Sequence, residues 1–64
     1  MLDPDEWKAR VIAEGVTCCP ACESTEITLG ATAIGVMTIH QEYICEHCQH
    51  TFSGLFALVT WYTT

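Results

Sequence analysis

Two pairs of cysteines are the residues of this chain best suited to chemistry. The pairs are Cys19–Cys22 and Cys45–Cys48, and 22 residues separate them. Each Cys-x-x-Cys spacing places two thiols on one tight turn, and the long interval lets the chain run out and return. Four convergent thiolates suit a tetrahedral, soft-ligand ion, and zinc is the usual choice in proteins. The spacing therefore predicts one structural zinc ion bound by all four thiolates.

A fifth cysteine and three histidines offer alternative ligands. Cys18 could replace Cys19, but the two-residue spacing that Cys19 provides is the commoner turn. We therefore expect Cys18 to be a small, half-buried and unreactive residue. His47 and His50 lie within and just after the second pair, and His40 lies in a predicted strand. Because four well-spaced thiols are available, we expect all three histidines to lie in solvent or to face a partner.

The small size of the chain makes a bound ion useful for folding. Its 64 residues form one domain, and a domain this small buries only about 60% of the surface of its unfolded chain. Disulfide bonds are the alternative cross-link, but the count of five cysteines is odd and closely spaced pairs suit one ion better. No secretory signal opens the chain, so we expect a reducing, cytoplasmic environment.

The first element is predicted to be a helix from Pro4 to Glu14. Asp3 is a good N-cap, and Glu6 stands three residues later, as in a capping box. Gly15 is a natural stop for the helix. We expect Trp7 to dock the helix onto the rest of the domain, and a helix laid in a partner's groove is the alternative.

Three strands are predicted after the helix, over 26–31, 36–44 and 51–62. Small residues and two glycines over 30–35 predict the turn between the first two strands. In the second strand we expect Met37, Ile39 and Tyr43 to face inward.

The third predicted strand is apolar on both faces, so something must cover it. We favour the N-terminal helix as the cover, and the alternative is an intermolecular contact, including a homodimer formed through this strand. A short helix over 54–59 is a second alternative, because periodicity does not settle a short apolar run.

These features resemble the zinc ribbon family. The resemblance covers residues 17–60 and depends on the four cysteines, on Pro20 and on Phe52. It implies a small, metal-stapled α+β domain over 1–64, with a helix over 1–15 and a ribbon of three antiparallel strands over 16–64. Glu23 and Gln49 stand where family members usually have glycine, so each must accept a tight, left-handed turn. Residues 43–52 resemble the C-terminal half of ribbons in transcription factors and in small phage activators.

The charge of the chain argues against nucleic-acid binding. Eight acidic residues outnumber the two basic ones, Lys8 and Arg10, and the formal charge is −6. Four thiolates and one zinc dication would change this to about −8. Proteins that bind DNA or RNA carry a basic face that displaces counterions from phosphates, and this chain cannot build one. The acidity alternatively serves only to keep a small domain soluble.

We therefore predict a non-catalytic module that binds a protein, a small regulator that binds a nucleic-acid-processing machine such as RNA polymerase. Aromatic side chains anchor interfaces, and acidic ones would orient the module toward a basic groove. Direct DNA or RNA binding and a rubredoxin-like iron centre for electron transfer are the alternatives. Catalysis is not expected, because four cysteines leave no open position on the ion. The residues expected to bind the partner are Trp7, Phe56, Trp61, Tyr62, Glu42 and Glu46.

Overall fold

A computed structural model describes all 64 residues of the chain. The elements are α1 (Pro4–Glu14), β1 (Ile27–Ile34), β2 (Thr38–Cys45) and β3 (Thr51–Ala57). The strands form one antiparallel sheet in the order β1-β2-β3. The predicted fold class, one N-terminal helix with a three-stranded antiparallel sheet, is confirmed. The single helix is neither long nor apolar enough to cross a membrane.

Helix α1 begins and ends as its sequence predicts. The Asp3 side chain accepts a hydrogen bond from the Glu6 backbone N–H at 2.8 Å, and the Asp3 N–H donates to the Glu6 carboxylate at 3.2 Å. At the other end Gly15 adopts a left-handed conformation with φ of 71°, and its N–H donates to the Val11 carbonyl. These local bonds satisfy backbone groups that the helix itself leaves without partners.

The turn between β1 and β2 lies further along the chain than predicted. Strand β1 continues to Ile34, and β2 begins only at Thr38. Gly30 belongs to a bulge, where two residues of β1 oppose Glu42 of β2. The Glu42 carboxylate accepts from the Ala31 N–H at 3.5 Å and fills the space that a Cβ at Gly30 would need. The glycine that suggested a turn therefore lies in a bulge, beside the Glu42 side chain.

Strand β3 ends at Ala57, five residues before the predicted end. The β1–β2 turn lies at 35–37, so β2 has no residues left to pair with the chain beyond Ala57. The last backbone hydrogen bond between this end of the chain and the rest of the sheet runs from the Leu58 N–H to the Met37 carbonyl, at 2.8 Å. Residues 58–64 have no regular structure, and the alternative helix over 54–59 is wrong.

One face of the sheet carries most of the large apolar side chains. The cross-strand pairs Tyr43–Phe52 and Ile39–Phe56 lie on this face, with Gly54 between them on β3. Of the three side chains expected to face inward from β2, only Tyr43 is buried; Met37 and Ile39 are exposed. Only five residues are buried in the whole chain: Cys18, Cys19, Tyr43, Cys45 and Gly54.

Helix α1 covers only one end of the apolar face. Trp7 packs edge-on against Phe52 with ring centroids 6.0 Å apart, and its indole N–H donates to the Cys18 carbonyl at 2.7 Å. Further along, an open groove of about 690 Å³ separates the helix from β3. Leu55 and Phe56 stay exposed beside this groove. The favoured prediction, cover by the helix, therefore holds at the start of β3 and not along its length.

Candidate metal centre

The side chains of Cys19, Cys22, Cys45 and Cys48, here called the four-cysteine cluster, converge at one end of the sheet. Their sulfur atoms all lie within 4.8 Å of one another. The Sγ atoms of Cys19 and Cys48 are 3.6 Å apart, and those of Cys22 and Cys45 are 3.5 Å apart. A tetrahedron with metal–sulfur bonds of zinc length has edges of about 3.8 Å. The cluster therefore fits a tetrahedral metal ion and contains no disulfide bond.

The first pair of thiols sits on a tight turn that two backbone bonds close. The Glu23 N–H donates to the Cys19 carbonyl at 2.8 Å, and the Cys19 N–H donates to the Ser24 carbonyl at 2.8 Å. Glu23 has a positive φ of 64°. This left-handed residue reverses the chain immediately after the second thiol, which keeps both thiols on the same side of the turn.

The second pair sits on a turn of the same construction. The Gln49 N–H donates to the Cys45 carbonyl at 2.9 Å, the Cys45 N–H donates to the His50 carbonyl at 2.9 Å, and Gln49 has a φ of 65°. Two turns built alike, one before β1 and one between β2 and β3, thus face each other across the four sulfurs. The prediction of left-handed residues after each pair is confirmed.

Backbone N–H groups point at the sulfur atoms and favour their ionised form. The Ala21 N–H lies 3.4 Å from the Cys19 sulfur, and the Cys48 N–H lies 3.5 Å from the Cys45 sulfur. Burial raises the pKa of Cys45, but hydrogen bonds from the N–H groups of Cys48 and His47 outweigh it and lower the pKa to about 7. A bound cation would strengthen this preference for thiolate.

Two other thiols of the cluster, Cys22 and Cys48, hold their protons more tightly when no cation is bound. The Ser24 N–H lowers the pKa of Cys22, but burial and bonds to the neighbouring thiols outweigh this and raise it to about 12. The pKa of Cys48 is also raised, because burial and contacts with Cys19 and Cys45 outweigh the N–H of His50. Four thiols this close cannot all ionise without a cation among them.

Cys18 lies outside the cluster and is completely buried, so the half-buried position expected for it is wrong. Its carbonyl accepts the Trp7 indole bond. Burial is the main reason that the pKa of its thiol is raised. An un-ionised thiol is a poor nucleophile and a poor ligand, which agrees with the expectation that Cys18 is unreactive.

None of the histidines joins the cluster. His40 and His47 are exposed, and the ring of His50 stacks on Phe52 with centroids 6.0 Å apart. The only group of potential ligands close enough to hold an ion is the four-cysteine cluster.

Arg10 attaches α1 to the turn that carries Cys19 and Cys22, here called the first metal turn. Sequence analysis missed this contact. Its guanidinium forms ion pairs with Glu23, on that turn, and with Glu14, one helical turn away at 2.9 Å. The hydrogen bond that Arg10 donates to Glu23, followed by the one that it donates to Glu14, raises the pKa of Arg10. The four-residue spacing from Arg10 to Glu14 is enough to predict an ion pair within a helix. The ion pair with Glu23 could not be predicted in this way, because it depends on how the helix docks.

The six residues expected to bind a partner lie in different settings. Trp61 and Tyr62 are 81% and 82% exposed, and Phe56 is partly exposed on β3. Trp7 is engaged within the fold by Cys18 and Phe52. The Glu42 carboxylate faces the bulge of β1, and Glu46 accepts a hydrogen bond from the Thr28 hydroxyl. Their contact with a partner stays a prediction.

No family model, curated protein or solved structure matches the chain. The metal site is therefore defined by its own geometry, a closed set of four sulfurs on two similar turns.

Proposed function

We propose that this chain is a non-catalytic zinc ribbon in which one structural zinc ion holds together a surface for binding another protein. The four-cysteine cluster carries the proposal. Its four sulfurs provide a full tetrahedral set, so a bound ion would keep no open position to activate water. The ion would tie the first metal turn, near the helix, to the second turn between β2 and β3.

Zinc is favoured over iron, although all-sulfur tetrahedral sites accept either metal. Closed sets of four cysteines on two Cys-x-x-Cys turns are typical of structural zinc sites, and Cys19, Cys22, Cys45 and Cys48 form such a set. Metal analysis of the chain purified from cells should give one zinc per chain and a colourless protein. One iron per chain with visible thiolate–iron absorption would instead support the electron-transfer alternative.

The charge distribution supports a protein partner with a basic groove. Of the two basic side chains, Arg10 is paired with two glutamates, and only Lys8 has no ion pair. A chain that is negative overall and keeps a single unpaired basic side chain would repel a phosphate backbone and be drawn toward a basic surface. RNA polymerase is the partner that we propose, because its nucleic-acid channel is basic and the ribbon resembles those of transcription regulators.

The test is a binding measurement with purified RNA polymerase and, separately, with labelled DNA. We expect the zinc-loaded chain to bind the polymerase, to bind it more weakly as salt rises, and to leave DNA unbound. Trp61→Ala should weaken binding at least about tenfold if this side chain is an anchor. Val36→Ala is the control, because Val36 is 93% exposed against 81% for Trp61 but lies at the turn between β1 and β2. Salt-dependent binding to DNA without polymerase binding would favour the nucleic-acid alternative.

A further inference from the structure

The outer edge of β3 has no partner within the chain. β3 is an edge strand, and its only neighbour in the sheet is β2. None of the backbone hydrogen bonds outside that pairing involves residues 51–57. Every second residue of β3 therefore presents its N–H and C=O groups to solvent, in a row that another strand could pair with.

The opposite edge of the sheet is protected, which makes the open edge of β3 distinctive. Strand β1 carries the bulge at Gly30 and Ala31. The Gln41 side-chain amide donates to the carbonyls of both residues, at 3.3 and 3.5 Å, and Glu42 accepts from the Ala31 N–H. A bulge whose backbone groups already have partners resists further pairing.

The end of the chain also lacks the residues that usually prevent strands from pairing between molecules. Residues 51–64 contain no Asp, Glu, Lys, Arg or Pro, and all eight acidic residues lie between Asp3 and Glu46. Charged side chains and proline are common means of protecting an edge. A chain with a formal charge of −6 therefore ends in a fourteen-residue segment with no charged residue at all.

We propose that two copies of this chain pair through β3 in antiparallel fashion, centred near Leu55, to form one six-stranded sheet. A two-fold axis brings each residue near it against its own copy, so acidic residues at such a contact would repel. The uncharged segment is where two copies of this acidic chain can approach without that cost. A second copy therefore fits this edge better than it fits any other part of the surface.

The groove beside β3 gives the end of the second copy a place to lie. Five consecutive residues, Phe52–Phe56, line this groove together with residues of α1. Because successive side chains point to opposite faces, a groove bordered by five in a row must run along the edge of the strand. Pairing centred near Leu55 places Leu58 and Val59 of one copy beside Phe52 of the other, where the groove approaches Trp7.

The exposed apolar area agrees with a dimer of ordinary size. Six large side chains of this segment are exposed, and together they present about 800 Å² per copy, taking about 150–250 Å² for a whole aromatic side chain and less for Leu or Val. Stable interfaces bury about 800 Å² on each partner. The six residues are Leu55, Phe56, Leu58, Val59, Trp61 and Tyr62.

The test is sedimentation equilibrium of the purified, zinc-loaded chain over a range of concentrations. We expect a dimer of twice the 7.1 kDa chain mass. Leu55→Lys should weaken dimerisation at least about tenfold, because it places two like charges across the axis. Leu29→Lys is the matched control: Leu29 is 67% exposed on the protected strand β1, and Leu55 is 66% exposed on β3. Bound zinc reports that each variant is folded, and Ser53→Lys replaces Leu55→Lys if that variant loses its zinc.

Amide hydrogen exchange separates strand pairing from apolar contact alone. In the dimer, the outward-facing N–H groups of β3 should exchange at least about tenfold more slowly than in the Leu55→Lys monomer. A chain that stays monomeric at all concentrations would overturn the proposal, as would a dimer that Leu29→Lys disrupts equally or one without protection along β3. The dimer would cover Phe56, Trp61 and Tyr62, which the proposed polymerase contact also uses, so the polymerase would bind the monomer. Because these measurements use the purified chain alone, their outcome does not depend on whether RNA polymerase is a partner.

Discussion

At the scale of single residues, the neighbours Cys18 and Cys19 show two different uses of a buried thiol. The Cys19 sulfur belongs to the four-cysteine cluster, whereas Cys18 is fully buried outside it and its carbonyl accepts a bond from the Trp7 indole N–H. The spacing of the cysteines distinguished them, because only Cys19 completes a Cys-x-x-Cys pair with Cys22. One residue of displacement along the chain thus separates a metal ligand from a packing residue.

Replacing each of these two thiols by alanine should therefore give opposite results. Cys19→Ala removes a ligand and should weaken zinc binding at least about a hundredfold, because a structural zinc site contributes about 10–16 kcal/mol only with its ligands in place. Cys18→Ala should keep one zinc per chain and lose about 1 kcal/mol of stability, the cost of a small cavity. Chelator competition and urea unfolding measure the two effects. Equal zinc loss in both variants would contradict the ligand set.

Zinc affinity should fall steeply as the medium becomes acidic. In the metal-free chain the pKa of Cys45 is lowered to about 7, while that of Cys22 is raised to about 12 and that of Cys48 is also raised. The stability that the Cys45 thiolate contributes to the folded chain is fully present above the ordinary thiol pKa. This stability is lost as the pH falls through about 7.

Near neutral pH, Cys22, Cys48 and part of Cys45 must still release protons when zinc binds. At least two protons should therefore be released, and the apparent affinity should fall at least about a hundredfold for each pH unit below 7. Competition with a chelator of known proton affinity at pH 6, 7 and 8 measures this slope. An affinity independent of pH over that range would show that the ion is not bound by these thiolates.

At the scale of the elements, the two metal turns are built alike but lack the glycine that would suit them. Gln49 has a φ of 65°, a conformation that costs a residue with a Cβ about 1 kcal/mol or more relative to glycine. Gln49→Gly should therefore raise stability by up to about 1 kcal/mol. Glu23→Gly is the informative comparison, because it relieves the same strain but removes the ion pair with Arg10. Urea unfolding of the zinc-loaded variants should show the smaller gain for Glu23→Gly, and destabilisation by Gln49→Gly would be the contrary result.

Strand β3 depends on one glycine that allows a tyrosine to pack. A Cβ at Gly54 would lie 2.9 Å from Cε2 of Tyr43, the only large buried side chain outside the cysteines. Gly54→Ala should therefore cost about 1–3 kcal/mol, because the ring must move out of its packed position. Gly35→Ala, in the turn between β1 and β2, meets no atom closer than 3.4 Å and should change stability little. Thermal unfolding compares them, and equal effects would argue against this packing.

The sequence predicts the features of this fold that depend on neighbouring residues, and it does not predict those that depend on how the strands pair. The limits of α1, each Cys-x-x-Cys pair and the left-handed turns follow from residues within a few positions of one another, so local rules predict them. The two pairs lie 22 residues apart, and their convergence was predicted from the typical interval between such pairs. The roles of Gly30 and Gly54 depend on which residue of β2 lies opposite, and that register is not visible before the strands pair. The premature turn predicted at Gly30 and the overlong third strand are both errors of register.

At the scale of the whole molecule, the fold has almost no core apart from its metal site. Three of the five buried residues are cysteines, and two of these belong to the four-cysteine cluster. A domain of this size has little apolar burial to offset the conformational entropy of ordering its chain. An ion bound by the four-cysteine cluster would therefore provide most of the net stability.

Removing the ion should accordingly unfold the chain as a unit. Addition of a strong chelator to the reduced, zinc-loaded protein should abolish the sheet signal in circular dichroism and shift the emission of Trp7 to the red, because its bond to the Cys18 carbonyl would be lost. Returning zinc should restore both signals. Trp61 is already exposed and contributes little to the shift, and Cys18→Ala, with all four ligands intact, should respond as the parent does. A metal-free chain that keeps its sheet and the bond of the half-buried Trp7 indole would show that Tyr43 and its neighbours hold the fold without the ion.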